Sequence, residues 1–249
     1  MAFYKLTFNE KYRCATAYNY GCTFRCPVCS YKLRSGANGT PGQAFPRPES
    51  FPALAEFKKA LAGLAIDRVF FMGGEPTVAP DLPELLSFVK RELRLETALG
   101  HTNGSRLPIA DLDMANVGFK AWDEQLHLTF TGRPKSLIYD NFKAAFHSGM
   151  KMKANVILIP GLVEVEQIAA IAKWLSLLSP EIPLHVNGYI PVPGQPFQKP
   201  SDMAVADIVD ACRQYLNTVD SSNICPETAV GLAERDDRFD SVRIIYFNS

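Results

Sequence analysis

The segment GCTFRCPVCS, residues 21–30, brings Cys22, Cys26 and Cys29 onto one short stretch of a chain with six cysteines. Three thiolates on a single loop wrap a soft metal. The two usual occupants are tetrahedral zinc, which wants a fourth protein ligand, and a cubane iron–sulfur cluster. Cys14 is the only other cysteine close by, and no histidine precedes His101. A triplet with no local fourth ligand suits a cluster whose remaining iron is open to a non-protein ligand. Zinc, and a chance grouping of small buried cysteines, are the alternatives. Cys14, Cys212 and Cys225 are scattered and read as small apolar groups.

A second motif is Gly73-Gly74-Glu75-Pro76. Glycines let backbone approach a ligand closely, a carboxylate suits a cationic amine, and proline fixes the turn. The plainer reading is a polar strand-to-helix loop. Asn103 beside Gly104 is either a ligand contact or a turn former. Lys120 lies in the apolar run GFKAW, where a cation costs free energy unless paired; a ligand carboxylate, Glu75 or Asp123 would serve. His185 is a candidate contact or a hydrogen-bonded core histidine.

The elements that must position these residues follow from periodicity. Apolar runs at 14–20, 68–74, 97–104, 116–122, 153–160 and 184–192 read as strands. Stretches at 51–65, 82–93, 136–149, 164–179 and 202–217 read as helices, and 107–114 as a short helical turn. Alternation of strand and helix predicts a parallel α/β sheet, either doubly wound or a partial (β/α)6 TIM-like barrel; the partial barrel is the expectation, as one domain over 1–249. In a barrel the loops at the C-terminal strand ends build the site, and the cysteine loop, Gly73–Pro76, Asn103, Lys120 and the loop after His185 all fall there. Residues 31–50, rich in Gly, Pro and Ser, read as a mobile excursion of the cysteine loop, and ERDDR at 234–238 as a solvated face.

The chain has 249 residues, 47% hydrophobic, with 26 basic and 26 acidic side chains, so no net field favours nucleic acid or an anionic membrane. The opening residues lack the apolar core of a signal peptide and no stretch approaches bilayer-spanning length, which predicts a cytoplasmic, reducing location.

A Cys-x3-Cys-x2-Cys loop after the first strand, joined to Gly-Gly-Glu-Pro after the second, resembles the joint pattern of the radical S-adenosylmethionine superfamily. Single-domain activating enzymes of glycyl radical enzymes are the most similar group, in Thr102-Asn103-Gly104, Lys120, Ile159-Pro160-Gly161 and Pro183-Leu184-His185. The resemblance implies that Cys22, Cys26 and Cys29 hold one 4Fe–4S cluster whose open iron is chelated by S-adenosylmethionine. It further implies that Gly73, Gly74, Glu75, Asn103, Lys120 and His185 contact that cosubstrate. Two positions depart from the pattern: Val28 stands where the family usually has an adenine-packing aromatic, and Gly118 where it commonly has an acid that meets the ribose.

The implied chemistry is reductive cleavage of S-adenosylmethionine to a 5′-deoxyadenosyl radical that removes a hydrogen atom. The expected source is a glycine of a partner glycyl radical enzyme, and the expected electron donor a flavodoxin or ferredoxin. Modification of a peptide, nucleoside or small metabolite is the runner-up. A zinc-stabilised binding module is the non-enzymatic alternative.

Overall fold

The computed structural model describes residues 2–43, 47–234, 242–245 and 247. Seven strands run parallel and strictly in sequence: β2 (Cys14–Asn19), β3 (Arg68–Gly73), β4 (Glu96–Thr102), β5 (Met114–Gly118), β6 (Lys151–Leu158), β7 (Leu184–Gly188) and β8 (Val219–Ser222). A doubly wound sheet would reverse its order at a switch point; this one never does. β1 (Phe3–Asn9) pairs antiparallel with β2, and β9 (Val242–Ile245) antiparallel with β1, completing a nine-stranded sheet.

Burial along the strands shows how the sheet is covered. In β2 Ala15, Ala17 and Asn19 are buried while Cys14, Thr16 and Tyr18 are half-exposed. β3 alternates in the same way, with Val69 and Phe71 inside, and β7 with Leu184 and Val186. A parallel sheet covered on both faces carries near-continuous apolar strands. Period-two alternation here leaves one face packed under helices and the other open, which is the inner wall of a partial barrel.

The helical layer comprises α1 (Lys32–Ser35), α2 (Leu54–Ala62), α3 (Leu82–Ser87, running into a π turn over Phe88–Glu92), α4 (Glu124–Thr131), α5 (Lys135–His147), α6 (Val165–Leu178), α7 (Asp202–Arg213) and α8 (Pro226–Glu234). Phe119, Tyr139, Phe142 and Trp174 interlock in this layer with ring centroids 4.7–5.7 Å apart.

The six strands read from sequence are β2–β7, with shifted ends, and the partial barrel stands. Several readings change. Residues 107–114 form no helix: Pro108 lacks an N–H, and Asp111 takes a positive φ of 61° that breaks a helical run. Lys120 lies past the end of β5 rather than on the strand. β1, β8, β9, α1, α4 and α8 were not legible as elements, and α1 falls within the expected excursion. Residues 44–46 of the expected excursion, and all of the 234–238 run except Glu234, lie outside the described residues. No helix among the described residues is long and apolar enough to cross a membrane.

α4 matters for the cysteine loop. Asp123 caps it, accepting from Leu126 N at 2.7 Å, and Gly132 ends it in the left-handed region at φ 76°. His127 is buried on α4, its Nδ1 sits 2.9 Å from Arg133 O, and its ring meets Phe24 of the cysteine loop edge-on at 6.0 Å. Burial lowers the His127 pKa, against the raising effect of the Arg133 carbonyl. A histidine whose folded pKa lies below its unfolded one contributes stability above the unfolded value, roughly pH 6.5, and loses it as the pH falls below that. Urea denaturation at a series of pH values should therefore show wild type losing stability on acidification more steeply than His127→Gln. Parallel slopes for the two proteins would remove His127 as the cause.

Candidate metal and cofactor site

The cysteine loop starts where β2 ends. Gly21 turns the chain at φ 103°, and its N–H donates to Gly42 O at 2.9 Å, so the excursion after Cys29 returns to the base of the loop. Cys22, Cys26 and Cys29 are all free thiols and half-buried. Cys22 Sγ accepts from Phe24 N at 3.3 Å and from Asn103 Nδ2 at 3.8 Å. Cys26 and Cys29 share a turn closed by Cys29 N donating to Cys26 O at 3.3 Å, which leads into α1 through Lys32 N to Cys29 O at 3.0 Å.

Burial pushes the Cys22 thiol up and the Cys26 thiol up to about 12, and the Lys120 charge draws both back. Protonated thiols must be deprotonated to bind metal, so the loop is stable empty of charge and takes it up with a cation. Among the described residues no three His, Cys, Asp or Glu side chains close on a point that could hold one metal ion. A cubane cluster is held by cysteine thiolates, and Cys22, Cys26 and Cys29 supply three from one loop. The donor set fits the cluster.

Glu75, read from the sequence as a carboxylate for a ligand amine, is wholly buried in this structure. Its Oε1 accepts from Thr77 N (3.1 Å), Thr77 Oγ1 (2.7 Å) and Thr102 Oγ1 (2.8 Å), and its Oε2 from Asn103 N (2.5 Å). Burial raises its pKa, and these four donors oppose the rise. The carboxylate is a tie between the exits of β3 and β4.

The two glycines before it serve packing first. A Cβ on Gly73 would fall 2.3 Å from Asn19 O, and one on Gly74 2.1 Å from Gly21 O and 2.3 Å from Gly42 O. Gly73 also holds φ 115°. The close approach these glycines allow is therefore between three segments of the chain itself: the end of β2, the start of the cysteine loop and the returning excursion.

Asn103 is buried between those segments. Its Nδ2 donates to Thr23 Oγ1 at 2.9 Å as well as to Cys22 Sγ, and its Oδ1 accepts from Ser105 N at 2.9 Å. The structure thus joins Cys22, Gly73, Gly74, Glu75 and Asn103 in one contact set. Lys120 lies near it, two residues past the end of β5. Its Nζ forms no ion pair with Glu75 or Asp123, and would lie 3.0 Å from a Cβ on Gly118. His185 stands on the inner face of β7, four strands from β3, with Nε2 3.0 Å from Ser222 Oγ, which donates on to Asn187 Oδ1 at 3.2 Å.

Sequence reasoning missed Asn19 and Gly42. Asn19 is buried and donates to Glu75 O at 2.8 Å, while its Oδ1 has no hydrogen-bond partner among the described residues. A Cβ on Gly42, which sits at φ 71°, would strike Cys22 Cβ at 2.3 Å. The Pro41-Gly42 pair was the only signal, and it reads as an ordinary turn. The loops after Cys29 and after β7 meet at this end of the barrel: a Cβ on Gly194 would lie 2.8 Å from Ala37 Cβ. A separate cleft lined by Lys90, Glu96, Asp113 and Lys151 lies at the opposite strand ends, crossed by Lys90–Asp113 and Lys151–Glu96 ion pairs.

Residues 17–175 match the family model of the Radical SAM superfamily. A protein of Methanocaldococcus jannaschii named as a glycyl-radical enzyme activating enzyme is 26% identical over 217 residues, covering 83% of this chain and 80% of that one. A GTP 3′,8-cyclase of Photorhabdus laumondii is 28% identical over 170 residues, covering 62% of this chain and 48% of the cyclase, so the chain spans about half the length of that relative. Among solved structures, SuiB of Streptococcus suis bound to S-adenosylmethionine superposes with a TM-score of 0.62 at 18% identity, over 84% of this chain and 50% of that one. A domain of pyruvate-formate lyase-activating enzyme from Bacteroides vulgatus superposes with a TM-score of 0.52 at 20% identity, over 62% of this chain and 98% of that domain. With its three-cysteine loop, its partial barrel and a family match over most of its length, the chain belongs to the Radical SAM superfamily, whose cofactors are a 4Fe–4S cluster and S-adenosylmethionine.

Proposed function

We propose that this protein activates a partner glycyl radical enzyme by removing a hydrogen atom from one of its glycines. The observation that carries this reading is the alignment with the M. jannaschii protein, which runs along most of both chains, whereas the cyclase alignment leaves half of the cyclase unmatched.

In this reading Cys22, Cys26 and Cys29 hold the 4Fe–4S cluster. When bound, the cluster supplies the electron that splits S-adenosylmethionine and yields the 5′-deoxyadenosyl radical. The protein's own groups orient and enclose. Lys120, with no carboxylate partner of its own, meets the cosubstrate's carboxylate. Gly73 and Gly74 offer strand-end backbone to its amine, and Glu75 fixes that backbone from beneath. Asn103 holds Cys22 and Thr23 in register with β4. His185, braced by Ser222, faces the ligand from the far wall. The meeting of the 31–43 and 189–200 loops over the mouth suits a flexible protein segment that is threaded in and then released.

Three measurements test these roles. Cys22→Ser, Cys26→Ser and Cys29→Ser should each lose cluster iron and dithionite-driven S-adenosylmethionine cleavage; three variants with full iron would sink the cluster assignment. Glu75→Gln should lower stability by about 1–3 kcal/mol in urea denaturation, because a Gln Nε2 would oppose donors such as Asn103 N. An unchanged midpoint would show that the buried tie is dispensable. Incubating reduced enzyme and S-adenosylmethionine with candidate glycyl radical enzymes should give a glycyl doublet by electron paramagnetic resonance. Deuterium passing from a small metabolite or nucleoside into 5′-deoxyadenosine instead would overturn the activator reading and leave the radical chemistry standing.

A further inference from the structure

The charge of this chain is balanced overall but not locally. Residues 11–48 hold six cations (Lys11, Arg13, Arg25, Lys32, Arg34 and Arg47) and no acid. Two of these are spent within the fold: Arg13 pairs with Asp67, and Lys32 is buried and donates to Ala37 O. Arg25 and Arg34 are exposed, on the loop and on α1 just past Cys29, and form no ion pair or side-chain hydrogen bond among the described residues. Arginines elsewhere are commonly paired, as in Arg68–Glu96, Arg91–Asp111 and Arg213–Asp210.

Other segments extend this cationic surface. Arg25 N donates to Thr131 O at 3.0 Å, which sets Arg25 beside the C-terminal end of α4, and exposed, unpaired Arg133 follows two residues later. Ser105 Oγ lies 3.2 Å from Thr23 Oγ1, bringing exposed Arg106 alongside the same loop, where its guanidinium reaches Thr77 O. On α4, Asp123 and Glu124 have carboxylates already engaged by backbone, accepting from Leu126 N and Lys135 N.

The patch is on the outer side of the loop. Cys22 Sγ turns towards Asn103, whereas Phe24 is buried against His127 of α4. The chain between Cys22 and Cys26 thus rides over the helix layer, and Arg25 projects at its rim rather than into the barrel.

We propose that Arg25 and Arg133, with Arg106 beside them, form the docking surface for an acidic protein that carries a one-electron donor. This rests on the assignment of the cluster to Cys22, Cys26 and Cys29. One electron leaves the carrier and enters the cluster, so the carrier is oxidised by what the cluster gains, and no bond or proton changes at that step. Electron transfer favours a short path, and exposed Arg25 lies on the loop itself between Cys22 and Cys26. Small, polar, charge-steered contacts are typical of transient redox encounters. Three arginines around one loop supply that steering in a molecule with no net charge.

The test compares two reductants on the reconstituted enzyme: reduced flavodoxin as the acidic carrier, and dithionite, which needs no docking. Arg25→Glu/Arg133→Glu should raise the KM for flavodoxin about tenfold or more and flatten the salt dependence of the flavodoxin-driven rate. Iron content and dithionite-driven S-adenosylmethionine cleavage should match wild type. Lys173→Glu, an exposed charge reversal on α6, should change neither. Should the double variant load less iron, Arg133→Gln alone carries the test, since it leaves the cysteine loop untouched. A wild-type KM and salt slope in the variants would overturn the proposal, as would loss of binding to an RNA oligonucleotide with flavodoxin kinetics intact. Failure of the wild type to cleave S-adenosylmethionine even with dithionite would overturn the cluster assignment beneath it.

Discussion

One buried carboxylate holds the candidate site together. Glu75 sits at the exit of β3 with no solvent contact, and takes hydrogen bonds from Thr77, Thr102 and Asn103. An ionised group taken from water costs several kcal/mol unless its lone pairs are filled, and here each oxygen is bonded. The donors come from two strand exits, and the Glu75 backbone is bonded on both sides, its N–H to Gly21 O at 2.8 Å and its carbonyl from Asn19 Nδ2. The geometry of the cysteine loop relative to β3 and β4 is thereby fixed before any metal or cosubstrate enters. Pre-organisation of this kind is what a site that must hold a reactive species away from water requires.

The same constraint explains the glycines. Gly21, Gly42, Gly73 and Gly74 meet where three backbone segments cross, at separations that leave no room for a Cβ on Gly42, Gly73 or Gly74. The tie pulls the strand exit inward; the glycines let it come. Cys22 therefore stands on a backbone braced from β3, from β4 through Asn103, and from the returning excursion at Gly42.

Much of the architecture was legible because the six strands from Cys14 to Gly188 are apolar runs, β2, β3 and β7 alternating in burial, separated by helical stretches. The edges were not. β8 is VDSS, too short and polar for a periodic signal, and β1 sits in a run broken by Tyr4 and Lys5. α4 is eight residues long with His127 and two threonines, so its apolar stripe is weak; its capping Asp123 and closing Gly132 were the readable signs. For the site, Cys22, Cys26, Cys29, Gly74, Glu75 and Asn103 were found by type and spacing. Their roles were harder to see. An acid beside two glycines looks the same in sequence whether it meets a ligand or the threonines next to it, and only burial separates the two.

The glycine at position 118 is a departure that the structure makes intelligible. A Cβ there would come 3.0 Å from Lys120 Nζ and 3.3 Å from Asn155 Oδ1. Asn155 is itself fixed, with Nδ2 donating to Asn116 Oδ1 at 2.9 Å, so it has little freedom to retreat. A side chain at this position would meet the lysine amine first, and that flexible group would have to shift aside. The absence of one lets Lys120 fold back over Gly118, where its charge reaches the Cys22 and Cys26 thiols. The glycine at 118 and the placed lysine are one arrangement, with a cation that forms no ion pair among the described residues set beside the cysteine loop.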